Sequence, residues 1–432
     1  MIWITIILAS SLSFGYLFLM NMYLKKRGLT LKKVLKAQFK FSKRYIRTKR
    51  IISLLGIYLL LGGSIFTFYN ISNRIAFSRI YSGYSEWRNS NGELYLYIDA
   101  DNYYDLGYHT GKGLAFNIAL MKYELLVSSL MFGIDYFSMI DHAKKYIDYI
   151  PNDYLLELYG VSEGATAGSG LYISFDDVLV QSVFLEIIYG RVLPEKTISF
   201  GCTAFGTIND NNLTIIGQNI DLIKPMGACG AFVLHKFRND PLVFTYRIGA
   251  CTIPMGKNEN NIVMNMNLVQ LNIISELTTP FFVLAREALS KASEIEECYD
   301  WIFDNKTLPY GCNLLIAQNN NIIAVQCLPD QLNKLYPNAT IVHSNTYLNE
   351  TWQDKLADPL YSKDRQEYAE NILESAFSDN KLTDSELISI LGSKPVICRD
   401  EGGLTGDGTV AFLTSKYFGI GTVHENIGVI PI

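Results

Sequence analysis

Residues 198–221 read ISFGCTAFGTINDNNLTIIGQNID. Two short strand-like runs, 203–208 and 213–217, flank the polar segment NDNN, the pattern of a hairpin. At its head stands Cys202, directly after Gly201. A packed structural thiol needs no glycine before it. A cysteine whose own thiol must attack the preceding peptide does, because glycine permits the strained, accessible backbone which that attack requires.

An amide-cleaving site needs a nucleophile, a base, a group that orients them and donors for the oxyanion. The five histidines are scattered, with no companion motif for a thiol. A chain can make its own base by cleaving before the nucleophile, since an α-amine titrates near ~7.7–8.0 and suits proton transfer near neutrality. The seven cysteines (202, 229, 251, 298, 312, 327, 398) form no CxxC pair and no zinc spacing, so no metal or cofactor is expected. Gly107 and Gly111-Lys112 lack the spacing and the Ser/Thr of a phosphate loop.

The chain has 432 residues, 49% hydrophobic and 18% charged, with the apolar excess at its start. Residues 1–24 and 51–69 are apolar runs, each near the ~20 residues a bilayer-spanning helix needs. Between them, 25–50 carries twelve Lys/Arg and no acid; taking those from the 37 bases leaves 25 against 42 acids. A basic segment between two apolar runs is the positive-inside pattern. The expectation is a two-pass transmembrane hairpin with a cytoplasmic loop at 25–50 and the remaining domain on the extracellular or lumenal side. Leu31, Val34, Leu35, Phe39 and Phe41 interleave with the charges as on an inner-leaflet surface helix, so the loop is read as meeting the bilayer and no nucleic-acid partner is expected.

After a connector at 70–91, the domain is expected over 92–432. ELYLYIDA (93–100) alternates as a strand, and 101–120 enters a helix. Ser174 and Asp177 carry a capping-box signature for the helix in SFDDVLVQSVFLEIIYG (174–190). After Cys202, strands are expected at 203–208, 213–217, 231–236, 241–247 and 261–267. A helix follows from Pro280, then strands at 313–318 and 322–328 around the turn NNN, a strand TIVHS (340–344), a helix over 362–376, and strands at 408–414 and 417–423. Helices first and strands with helix pairs later give the class α+β.

The segment Gly201–Asp221 resembles the nucleophile-bearing hairpin of the penicillin acyltransferase and choloylglycine hydrolase group of N-terminal nucleophile hydrolases, which also includes acid ceramidase-like and N-acylethanolamine amidase-like enzymes. That group pairs a Gly-Cys-Thr start with Gly-(Arg/Gln)-Asn-x-Asp, its Asp nineteen residues after the Cys, as Asp221 is after Cys202. Further segments are similar in the same order: YYDLGYHTGKGL (103–114), ELYGVSEGA (157–165) with ISFDDVL (173–179), NIVMNMNL (261–268), PFFVLAREALSKAS (280–293), NLLIAQ (313–318), VHSNTYL (342–348), SKDRQEY (362–368), and VICR (396–399) with GTVAFL (408–413). The resemblance runs from about residue 93 to the end.

The resemblance implies a four-layer αββα sandwich that cleaves itself between Gly201 and Cys202 into two chains that stay together. It implies Cys202 as nucleophile with its own amine as base, and Asp221 orienting that amine. Asn345 would donate its side-chain NH₂ to the oxyanion together with Asn267, and Arg365 would hold Asp221 or the nucleophile's surroundings. Gln218, where many relatives have Arg, and Asn219 are secondary positions. The resemblance implies an amidohydrolase or acyltransferase acting on a linear carbon–nitrogen amide through a cysteinyl thioester; the expected hairpin makes it membrane-anchored, and a site that close to the bilayer favours a lipid-like substrate. An esterase or phospholipase of the same fold, or a non-catalytic binding protein, are the alternatives.

Overall fold

A strand alternates its side chains between two faces, so a chain of short alternating runs must stack sheets to bury one face of each. The computed structural model describes residues 82–90, 93–192, 194, 201–208, 214–221, 224–304, 307–337, 340–357, 359–376, 384–391, 408–414, 417–422 and 428–431, all within the unit Tyr81–Ile432. The first described elements are the hairpin β1 (Tyr84–Ser90) and β2 (Glu93–Ala100), so part of the stretch expected as a connector supplies a strand. Helices α1 (Tyr103–Gly113), α2 (Ala115–Phe132), α3 (Tyr136–Lys144), α4 (Asn152–Ser169) and α5 (Phe175–Ser182) follow. The capping box forms: Ser174 and Asp177 each bond the other's backbone at the start of α5.

Then come β3 (Cys202–Ile208), β4 (Thr214–Asp221), β5 (Gly230–Phe237), β6 (Val243–Ile248), β7 (Cys251–Asn258) and β8 (Val263–Val269). Helices α6 (Phe281–Lys291) and α7 (Ile295–Phe303) lead to β9 (Gly311–Gln318), β10 (Asn321–Leu328), β11 (Gln331–Leu335) and β12 (Thr340–His343). The β9–β10 turn places Asn319 at φ 54°, the left-handed region that Asn tolerates. Helices α8 (Pro359–Ala376) and α9 (Asp384–Leu391) precede β13 (Gly408–Thr414), β14 (Tyr417–Thr422) and β15 (Gly428–Pro431).

Nine strands in the order β1-β2-β5-β6-β7-β8-β9-β10-β11 form one sheet, and six in the order β12-β3-β4-β13-β14-β15 form the other. The two meet where β3 and β4 pack on β8, β9 and β10. Helices α6 and α7 cover β7 and β9, while α8 and α9 cover β12, β3 and β4. The chain is therefore mixed α+β, with two sheets between helical layers.

The expected transmembrane hairpin does not stand. Among the described residues no helix is long and apolar enough to cross a membrane. The runs 1–24 and 51–69 and the basic loop 25–50 lie outside the described residues. The two-pass placement, with the domain beyond the membrane, rested on that hairpin and is withdrawn with it. Hydropathy of a run reports only that it avoids water, which a packed interior satisfies as well as a bilayer.

Two features fix the helical layer. Glu157 of α4 is buried between Arg247 of β6 and Arg286 of α6, so one carboxylate ties two helices to the large sheet. Helices α1 and α4 also approach backbone to backbone: a Cβ added at Gly111 would lie 2.1 Å from the Val161 carbonyl oxygen, and one at Gly164 2.0 Å from that of Tyr108. Gly111→Ala therefore forces the pair apart. It should cost about 1–3 kcal/mol, the range for overpacking, read as a lower urea midpoint at unchanged m-value. An unchanged midpoint would show that the helices are free to separate.

Candidate active site

Cys202 is the first residue of β3, opposite Ile220 of β4. Ala204 stands between Gln218 of β4 and His343 of β12 in one cross-strand row, so Cys202, Gln218 and His343 share the face turned to the large sheet. The Cys202 residue is buried, and the six described cysteines form no disulfide.

Two polar side chains take hold of the Cys202 main chain. Its N–H donates to Asn345 Oδ1 at 2.6 Å. Its carbonyl oxygen accepts from Arg365 Nη1 at 2.8 Å. Arg365 Nη2 donates to the same Asn345 Oδ1 at 2.7 Å, closing a ring through both ends of the cysteine. Asn345 Nδ2 donates to the Leu268 carbonyl of β8. With two donors facing one end of the amide and a carbonyl facing the other, the network fixes the orientation of the Asn345 side chain. Asn345 was expected to meet the oxyanion through its NH₂. Here that NH₂ is engaged by the Leu268 carbonyl, and the Asn345 side-chain oxygen meets the cysteine nitrogen.

Arg365 stands on α8 and is almost fully buried, with further bonds to Thr203 Oγ1 at 3.3 Å and Ser362 Oγ at 3.4 Å. Its neighbour Gln366, missed in the sequence, accepts from the Ser344 N–H at 2.6 Å and donates to the Val342 carbonyl at 2.7 Å. Ser344 Oγ donates to the Ser362 carbonyl at 2.6 Å. One turn of α8 thus holds both the cysteine and the segment that carries Asn345.

The other expected positions separate. Asn267 Nδ2 donates to the His343 carbonyl at 2.9 Å, which places it on the segment before Asn345 and not on Cys202. Gln218 lines the cavity beside Cys202, its Nε2 donating to the Met266 carbonyl at 2.6 Å. Asn219, one residue on, faces the opposite side of β4 and donates to the Leu391 carbonyl at the end of α9 at 2.7 Å. Asp221 ends β4 with Gly408 of β13 as its cross-strand partner; its side chain lies outside the described residues. Gly201 is buried directly before the strand.

A cavity of about 50 Å³ adjoins Cys202. Its origin is in the large sheet: β7 and β8 pair only at Gly256–Met264 and Lys257–Val263, then part. The opening is walled by Cys251 and Ile253 on one strand and by Met266 and Leu268 on the other. Ile248, Met121, Phe184, Leu185, Met226 and Ile220 complete a lining in which Gln218 is the one amide. By this measure a water-sized group needs ~10–15 Å³, so the space takes about three to five such groups.

His343 is buried with its pKa pushed down to about 3 by desolvation, so it is neutral at working pH and a poor proton acceptor. Burial also raises the Cys251 thiol, leaving it protonated and inert beside Cys202.

Chain comparisons add little. No family model matches the chain, and no curated protein matches it. Among solved structures it is similar to penicillin V acylase from Agrobacterium tumefaciens, at 12% identity over 54% of this chain and 86% of that one, with a TM-score of 0.37. A likeness this distant carries no argument. What the site can do therefore rests on its own residues.

Behind the cavity wall, Glu186 accepts from the Phe281 N–H at 2.8 Å and caps α6, whose N-cap residue Pro280 has no side-chain cap of its own. Burial raises this carboxyl from 4.5 to about 7. The folded state thus keeps a proton that the unfolded chain releases, and stability falls as pH rises from about 4.5 to 7. Glu186→Gln should remove that slope, gaining on the wild type in urea midpoint between pH 5 and pH 8. Parallel midpoint-against-pH curves would show that Glu186 is ionised in the fold.

Proposed function

We propose that this chain is a self-processing cysteine amidohydrolase or acyltransferase in which the amine of Cys202 serves as the base. One observation carries the reading: the N–H of Cys202 is held by Asn345 and its carbonyl by Arg365. A thiol activated by its own α-amine needs that nitrogen held in place, and Asn345 holds it.

In maturation, the Cys202 thiol attacks the Gly201 carbonyl carbon. The Gly201–Cys202 C–N bond breaks as a thioester forms, and the thiol proton passes to the departing nitrogen. Water then hydrolyses the thioester, leaving a Gly201 carboxylate and a free Cys202 amine and thiol. In turnover the amine takes the thiol proton as sulfur attacks the substrate amide carbon, then returns it to the leaving nitrogen. Water or an acceptor amine releases the acyl group. Asn345 Oδ1 and Arg365 fix the amine and the strand that carries it, while Asp221 at the end of β4 is the candidate carboxylate for the same ammonium.

The cavity supplies the substrate reading. Its lining is apolar, and its size admits about three to five methylene-sized groups. An apolar acyl chain of roughly that length fits it, with the amine portion outside.

The processing step is read by mass spectrometry of the purified protein. Wild type should yield a chain beginning at Cys202 that stays with the 1–201 piece, and Cys202→Ala should remain whole. An active wild type that is a single uncut chain would sink the amine-base mechanism. The acyl site is read on a series of anilides. At ~0.8 kcal/mol per buried CH₂, kcat/KM should rise about fourfold per carbon from acetyl to pentanoyl. Ile253→Phe should suppress the longer members and spare acetyl. Equal rates across the series would remove the cavity as the acyl site.

A further inference from the structure

Four amide side chains stand in one register across four neighbouring strands of the large sheet. Asn267 of β8 lies opposite Asn313 of β9, Asn313 opposite Gln326 of β10, and Gln326 opposite Asn333 of β11. Asn267, Asn313 and Gln326 are buried, where an amide costs free energy unless bonded. Their partners share one stretch of chain. Asn267 donates to the His343 carbonyl at 2.9 Å, and Asn313 donates to the carbonyls of Ser344 at 3.1 Å and Thr346 at 2.7 Å. Gln326 Oε1 accepts from the Asn349 N–H at 3.1 Å and from Asn333 Nδ2 at 3.0 Å.

The segment after β12 is buried yet has no sheet or helix of its own at 344–347. Its peptide groups must find side-chain partners. The row supplies them, and Asn313 sits at its centre. Its single NH₂ meets the two carbonyls that flank Asn345, whose side chain in turn holds the Cys202 nitrogen.

We propose that Asn313 is a positioning residue for the Cys202 centre: by clamping the peptide groups on both sides of Asn345, it sets the reach of Asn345 Oδ1 to the cysteine nitrogen. This rests on the reading of Cys202 as an amine-activated nucleophile. Asn345 Oδ1 accepts from that nitrogen and so favours its protonated form. Loosening the clamp weakens the bond and lowers the amine pKa.

Asn258 provides the matched control. It is also buried and donates its NH₂ to two carbonyls, Leu289 at 3.0 Å and Ala292 at 2.9 Å, at the α6 end of β7. Asn313→Ala and Asn258→Ala are compared, with the milder Asn313→Ser should the alanine variant fail to fold. Asn313→Ala should lower kcat about 10–100-fold, the cost of a misplaced reacting group, with KM near wild type, and shift the acid limb of kcat/KM to lower pH. Asn258→Ala should lower the melting temperature while leaving kcat and the limb in place. A folded Asn313 variant with wild-type kcat and acid limb overturns the proposal, as does activity that tracks melting temperature alike in both. Hydrogen exchange of the peptide covering 343–349 separates the clamp from the chemistry. If wild type shows no thiol-dependent turnover, the nucleophile reading fails. Faster exchange in Asn313→Ala but not Asn258→Ala still supports the clamp, and unchanged exchange removes it.

Discussion

The ring of hydrogen bonds through Cys202, Asn345 and Arg365 is the constraint around which the domain is arranged. Burying a guanidinium this deeply is costly, and the charge-assisted bonds from Arg365 Nη1 to the Cys202 carbonyl and from Nη2 to Asn345 Oδ1 offset that cost. Making them requires three remote pieces to meet: the head of β3, the segment after β12 and one turn of α8. Each is held by a different layer. β3 is fixed by its pairing with β4 and β12, the segment by the amide row beneath it, and α8 by Gln366 and Ser362.

The cavity follows from a second constraint, the parting of β7 and β8. Continuous pairing would close the sheet and bring Ile253 and Cys251 against Met266 and Leu268, leaving no space beside the cysteine. The strands that part must satisfy their edge groups elsewhere, and two amides do part of this: Gln218 of β4 donates to the Met266 carbonyl and Asn345, on the segment after β12, to that of Leu268. The same two amides that line or hold the nucleophile therefore keep the large sheet open. Three methionines among the lining residues give the wall side chains that adapt to irregular contents.

The outer layer bears on the site through Glu186. Its carboxyl caps α6 from the short helix Phe184–Ile187, whose first two residues wall the cavity. Packing of α6 on the large sheet and the shape of the cavity are thus mechanically joined. Buried polar links of this kind are costly to leave half-made, which favours one arrangement over near alternatives.

Much of this was legible locally. The hairpin 203–217, the Ser174 capping box, the helix after Pro280 and the hairpin at NNN follow from turn chemistry and period alone, because those signals act over a few residues. The nearness of Cys202, Asn345 and Arg365 was legible only through likeness of motifs, since their separations of 143 and 163 residues carry no local signal. The apolar runs at the start were over-read, because hydropathy does not distinguish one apolar surrounding from another. Local signals were enough for most of the strands and helices and for marking the Gly-Cys step at 201–202. Strand pairing and packing alone set which end of Asn345 faces the cysteine, turned Asn219 away and Gln218 in, and brought four amides into one register. Those facts depend on strand pairing across the sheets, where a shift of one residue would carry every side chain to the other face.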